Sequence, residues 1–223
     1  MALFIISAPS GSGKSTLVGE LFRVVPGLRF SISYTTRAPR GSERDGHEYF
    51  FVDRARFEQM VAAGEFLEHA QVFGNYYGTA WSFLAEAKRA RQDLVLDIDV
   101  QGAAQVKTRF PEAVSIFIAP PDRATLAWRL QHRGLDSPEV MAKRLADAQN
   151  EIAAYNKYDY VVINDRLEES AEQLCAIVRC AQGADPNACA LAGECRQGAV
   201  RPRLQAVLQS FGLEPGPLSG RVG

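Results

Sequence analysis

Leu3-Phe-Ile-Ile-Ser7, followed at once by Ala8-Pro-Ser-Gly-Ser-Gly-Lys-Ser15, is the stretch that decides the fold of this 223-residue chain. The apolar run is too short for a helix and reads as a buried parallel strand ending where the glycines begin. Beyond them Leu17, Val18, Leu21, Phe22 and Val25 recur at helical spacing until Pro26-Gly27 stops the pattern. The residues between strand and helix keep the phosphate-loop spacing G-x-x-x-x-G-K-[ST], with Ala8 in place of the first glycine. The physics of the loop survives that change. Gly11 and Gly13 allow backbone N–H groups to turn inward around a phosphate, Lys14 adds a positive charge, and the helix N-terminus adds its dipole. Pro9, Ser10 and Ser12 complete the cradle, and the Ser15 hydroxyl is a ligand for magnesium. A Gly/Ser turn could merely join a strand to a helix, but the flanking elements are those a phosphate cradle needs.

Working outward, the runs Leu94 to Ile98, Val114 to Ile118 and Tyr160 to Ile163 read as further central parallel strands separated by helical patterns. Asp122 and Ser137 stand at N-cap positions, the latter with Pro138 at the first helical position. The expected class is therefore α/β, doubly wound, with a central parallel sheet flanked by helices. Between about Ser31 and Gly78 the pattern changes to short aromatic runs such as Glu48-Tyr-Phe-Phe-Val52, punctuated by Gly and Asn. This predicts a small mixed or antiparallel insert able to hold a second ligand. From Gly183 the chain is rich in Ala, Gly and Pro, with one weak helical stretch near Leu204 to Leu208, and a loosely ordered tail is expected over 183–223.

Composition narrows the function. Hydrophobic residues make up 47% and charged residues 23%, enough for a sizeable core. The 25 basic and 26 acidic side chains leave a net charge of −1, so no global field draws the chain to nucleic acid or a membrane. The apolar opening lacks a basic flank and leads into the glycine loop, unlike a signal peptide or a membrane span, so a cytoplasmic protein is expected. Cys175, Cys180, Cys189 and Cys195 show no Cys-x-x-Cys pairing and read as spectator thiols.

A phosphate loop does not name an acceptor. Five segments behind it do: Ser33-Tyr-Thr-Thr-Arg-Ala-Pro-Arg40, Gly46-His-Glu-Tyr49, Glu65-Phe-Leu-Glu68, Gly74-Asn-Tyr-Tyr-Gly-Thr79 and Leu96-Asp-Ile-Asp-Val-Gln-Gly102. In this order and spacing they closely resemble the guanylate kinases, from about Leu3 to about Ala181. The resemblance implies a P-loop kinase over 1–182, with core segments 1–30, 94–121 and 156–182, a GMP-binding insert at about 31–93 and a helical lid at about 122–155. It implies transfer of the γ-phosphoryl group of ATP to GMP with Mg2+, by a monomer or small homo-oligomer, and Ala at the first loop position is frequent among such proteins.

Residue by residue, the resemblance places Arg37, Arg40, Tyr49 and Tyr77 around the acceptor phosphate, as two guanidinium forks and two phenol donors. It places Glu68, Ser33, Thr79 and Asp99 near the base. Guanine presents adjacent N1–H and N2–H donors that the Glu68 carboxylate can accept, and adenine offers no such pair. Asp97, at the end of its strand, is the expected metal carboxylate beside Ser15. Arg133 and Arg144 are expected lid cations, and Asn164 a contact of the donor adenine. A phosphate-oxygen nucleophile is already ionised, so His47, His69 and His132 need no catalytic role.

Three other readings compete. Asp99-Val-Gln-Gly102 fits D-x-x-G and Asn156-Lys-Tyr-Asp159 fits N-K-x-D, both GTPase motifs, but N-K-x-D there follows a core strand and here precedes one. A scaffold domain that has lost ATP binding is opposed by Lys14 and Ser15. A kinase for another monophosphate is opposed by Glu68 with Ser33 and Thr79.

Overall fold

The computed structural model describes residues 1–72, 74–133, 138–183 and 185–216. Two compact units share them, one formed by Met1–Ile5 and Gly27–Ala113, the other by Ile6–Pro26 and Val114–Gly223. The strand β1 (Leu3–Ser7) passes from the first to the second and lies in a five-stranded sheet of order β2-β7-β1-β8-β9.

In the first unit β2 (Leu28–Phe30) pairs in parallel with β7 (Asp93–Asp97). A second sheet of order β4-β3-β6-β5 is built from β3 (Tyr34–Thr35), β4 (Phe50–Phe51), β5 (Phe66–Val72) and β6 (Asn75–Ala80). Its β3–β4 pair is parallel and its other pairs antiparallel. Helix α2 (Arg54–Ala62) starts at Asp53, whose carboxylate accepts from the Arg56 amide at 2.7 Å. Its Phe57 stacks on Phe66, with centroids 4.6 Å apart, and on Tyr76, and with Met60 these rings make the apolar core of the insert. Helices α3 (Trp81–Ala90) and α4 (Val100–Arg109) complete the unit.

In the second unit β8 (Val114–Ala119) pairs in parallel with β9 (Tyr160–Ile163). Helix α1 (Lys14–Val24) buries Leu17, Val18 and Leu21. Then follow α5 (Arg123–Arg133), α6 (Pro138–Ala153), a 3-10 turn at Tyr155–Lys157, and α7 (Leu167–Ala181). Asp122 caps α5 as expected, accepting from Thr125 N at 2.6 Å. The cap expected at Ser137 lies outside the described residues.

Two expectations are corrected. Up to residue 216 the C-terminal segment is folded: α8 (Pro186–Glu194) is capped by Asp185, and α9 (Gln197–Ser210) buries Val200, Leu204, Val207 and Leu208. Few large apolar residues disguised α8, which buries the small Ala188 and Ala192, and the Gln197 amide donates to the carbonyls of Tyr155 and Tyr158. The cysteines are not four thiols. Cys180 and Cys189 form a disulfide that joins α7 to α8, while Cys175 and Cys195 are free and buried.

Candidate functional site

The phosphate loop belongs to the second unit. Gly13 precedes α1 in the left-handed region at φ 89°, and a Cβ there would come within 2.2 Å of the Asn164 amide nitrogen. Gly11, at φ 91°, would drive a Cβ to 2.9 Å from Leu130 of α5. Both positions therefore demand glycine on backbone and steric grounds alike. Ser12 N donates to Pro9 O at 3.1 Å, closing the turn.

Helices α2, α4, α5 and α8 each begin at an aspartate that caps them; α1 has no side-chain cap and no acidic residue in its first turn. α3 and α9 also start without a side-chain cap or an early acidic residue; at α1 this leaves the leading N–H groups and the dipole beside the glycines of the loop, where an anion can be held. Lys14 is its first residue, Ser15 lies exposed beside it, and the Ser12 hydroxyl is buried with no partner among the described residues.

Asn164, expected at the donor base, is buried at the end of β9 and donates its side-chain amide to Ser12 O at 2.7 Å. It holds the loop, and its amide nitrogen is committed to that task. Arg129 of α5 went unread in the sequence. Its Nη2 donates to Asn164 O at 3.1 Å, and its Nη1 is buried with no partner among the described residues. Arg144 lies on α6, and the side chain of Arg133 is outside the described residues.

The first unit gathers the other expected residues in two groups. Arg37 is buried, its guanidinium 5.3 Å from the centre of the Tyr49 ring, and Tyr49 meets Tyr77 edge to face. Burial works against its charge, but hydrogen bonds to Glu43 and Tyr77 outweigh this and raise its pKa. Glu43 is the second residue the sequence did not disclose. Its Oε1 accepts from Arg37 Nη2 at 2.9 Å and its Oε2 from Arg40 N at 2.7 Å, and the Arg37 bond holds its carboxyl below the usual range. The Arg40 side chain is exposed.

In the second group Glu68 of β5 lies opposite Thr79 of β6, only 3% exposed, and Ser33 Oγ is 3.5 Å from Thr79 Oγ1. Burial pushes the Glu68 carboxyl up to about 7, against the lowering hydrogen bonds from Thr79, while neighbouring Asp99 raises it further. Asp99 caps α4 by accepting from Gly102 N at 2.8 Å. Gly102 leaves the space Glu68 fills: a Cβ there would lie 2.3 Å from Glu68 Oε2. Asp97 ends β7, half-buried. The Asp97 carboxylate in the first unit and the Ser15 hydroxyl in the second are each oxygen donors of the kind a hard divalent cation takes.

The GTPase reading finds no support in the placement of its motifs. Asp159 precedes β9, and its carboxylate is occupied by Ser115 N and Oγ at 2.9 and 2.8 Å.

Among the described residues no helix is long and apolar enough to cross a membrane. The family model described as Guanylate kinase matches residues 1–181. The guanylate kinase of Koribacter versatilis is 55% identical, over 94% of this chain and 95% of that protein, and the one of Nitrosomonas europaea is 50% identical, over 79% and 88%. The crystal structure of guanylate kinase from Anaplasma phagocytophilum is 35% identical and covers 81% of this chain and 86% of that one, with a TM-score of 0.67. With a family model matched over residues 1–181 and relatives about half identical over most of their length, the chain belongs to the guanylate kinase family.

Proposed function

We propose that the protein transfers the γ-phosphoryl group of ATP to GMP, giving ADP and GDP, and that Glu68 selects the acceptor. The observation that carries the choice of acceptor is the near-complete burial of Glu68 beside Thr79, Ser33 and Asp99. A carboxylate is kept out of water at considerable cost unless something pairs with it. The two N–H donors of guanine are such a partner, and adenine would leave the carboxylate buried and unpaired.

The attacking atom is an oxygen of the GMP phosphate, already ionised, so no base is required. The obstacle is repulsion: two like unit charges ~4 Å apart oppose each other by about 4 kcal/mol at an effective dielectric near 20. Lys14 and the α1 N-terminus hold the donor phosphates, while Arg37, Arg40, Tyr49 and Tyr77 hold the acceptor phosphate. Glu43 pairs with Arg37, so the acceptor phosphate competes with a carboxylate for that guanidinium. Arg133 and Arg144, with Arg129 added, supply further positive charge from the 122–155 segment, which acts as the lid of a core and insert divided as the sequence suggests. Mg2+ is the divalent cation, held by Ser15 and Asp97, and when bound it neutralises charge on the donor's phosphates. The cytoplasm, where both nucleotides are supplied, is the proposed location, for a monomer or small homo-oligomer with no nucleic-acid partner.

The test supplies ATP, magnesium and each nucleoside monophosphate in turn and follows ADP. Only GMP should respond strongly. Glu68→Gln should lower kcat/KM for GMP by about 10²- to 10⁴-fold, the loss of one or two charge-assisted hydrogen bonds, and leave the KM for ATP unchanged. Equal losses for both substrates would overturn the assignment of Glu68.

A further inference from the structure

Glu68 sits on β5, at the end of the order β4-β3-β6-β5, whose outer rim has no neighbouring strand among the described residues. The polar groups of such a rim ordinarily go to water or to another chain. Here α4 meets them with side chains. Gln101 Nε2 donates to Gln71 O at 3.4 Å. One turn on, Gln105 Nε2 donates to His69 O at 2.7 Å and its Oε1 accepts from His69 N at 3.3 Å. A turn later Arg109 Nη1 donates to Leu67 O and, at 3.5 Å, to Phe66 O.

The spacings explain why this works. Residues four apart on a helix advance about 6 Å. Residues two apart on a strand advance about 6.6 Å. Positions 101, 105 and 109 therefore keep step with 71, 69 and 67, running in the opposite direction, and α4 serves as a surrogate strand.

This rail ends at an irregularity. Phe66 pairs with Ala80 and Glu68 with Thr79, so Leu67 is an extra residue in β5, a bulge of the kind that re-aims the adjoining side chain. Arg109 binds the carbonyl of that bulged residue. At the other end of α4 Gly102 leaves Glu68 Oε2 the space a methyl group would occupy. A glycine inside a helix weakens it relative to alanine, so the helix gives up stability where the carboxylate needs room.

We infer that Gln105 and Arg109 are positioning residues for recognition of the acceptor base, holding β5 and its bulge so that Glu68 projects into the space left by Gly102. The inference rests on the reading of Glu68 as the guanine-selecting carboxylate.

Gln105→Met, Arg109→Met, Arg109→Lys and Gly102→Ala are compared with Glu68→Gln for activity on GMP and on inosine monophosphate, which lacks the exocyclic amine, and for hydrogen exchange at the His69 amide. The two methionine variants should raise the KM for GMP about 3- to 10-fold, the worth of one hydrogen bond, with kcat and the KM for ATP within about twofold. Preference for GMP over inosine monophosphate should fall by the same factor, and Arg109→Lys should recover most of it. Gln105→Met should also speed His69 exchange. Gly102→Ala should raise the KM for GMP while leaving the melting temperature equal or higher, a combination that simple damage to the fold does not give. If His69 exchange accelerates and selectivity stays at the wild-type level, the positioning role is wrong while the role of Glu68 stands. A selectivity unchanged in Glu68→Gln overturns both. A parallel rise in KM for ATP and GMP with a lower melting temperature marks Gln105 and Arg109 as structural only and also refutes the inference.

Discussion

At the scale of single residues the site is a set of groups kept in states they would not choose in water. Glu68 is the clearest. With its carboxyl pushed up from 4.5 to about 7, the folded protein retains a proton that the unfolded chain has lost across that window. Stability therefore falls as pH rises through it, and the full cost of an ionised Glu68 is borne above pH 7. Glu68→Gln removes this term, so the ligand-free variant should be more stable than wild type at pH 8, by on the order of 3 kcal/mol, with the advantage vanishing near pH 4. Urea unfolding at the two pH values measures it, and an advantage independent of pH would contradict it. Gly13 is constrained from the backbone side. Gly13→Ala should raise the KM for ATP and lower the melting temperature, since both the positive φ and the nearby Asn164 amide oppose a methyl group. The loop was legible as a motif because its requirements are local. The need for glycine at 102 was not, because it comes from a side chain 34 positions earlier in the chain.

At the scale of elements, an aspartate caps α2, α4, α5 and α8, whereas α1, like α3, α7 and α9, starts without a side-chain cap, in its case directly at the phosphate loop. What braces that loop is the end of β9. Asn164→Ala should leave the buried carbonyl of Ser12 without its donor, costing about 1–3 kcal/mol of stability. It should also raise the KM for ATP more than that for GMP. Substrate titrations of the variant check this, and a change confined to GMP would contradict it. The strands were readable from apolar runs: β1 and β9 have the expected bounds, β7 lies one residue earlier at both ends, and β8 runs one residue further at its C-terminal end. The partners of the insert strands were not readable, since elements of two to seven residues carry too little periodicity to set their order.

At the scale of the whole molecule the C-terminal helices replace the loosely ordered tail expected beyond Gly183. Removing 183–223 would uncover β9, whose Val161 N donates to Cys195 O, and would leave the Tyr155 and Tyr158 carbonyls without Gln197. The truncated protein should melt markedly lower, with loss of soluble yield before any specific loss of GMP selectivity. The disulfide between Cys180 and Cys189 closes a short loop, and reducing it, or replacing both residues with serine, should cost about 2–3 kcal/mol. Thermal melts with and without reductant test this, and coincident curves would rule it out. What the sequence by itself determined is what depends on neighbours along the chain: the strand–loop–helix unit, the central strands, and the order of motifs that marks the family. Tertiary structure alone decided the bracing of the loop by Asn164, the pairing of Arg37 with Glu43, the packing of α8 and α9, and the space for Glu68. Each depends on groups whose meeting in space follows from how the whole chain packs rather than from any pattern within one segment.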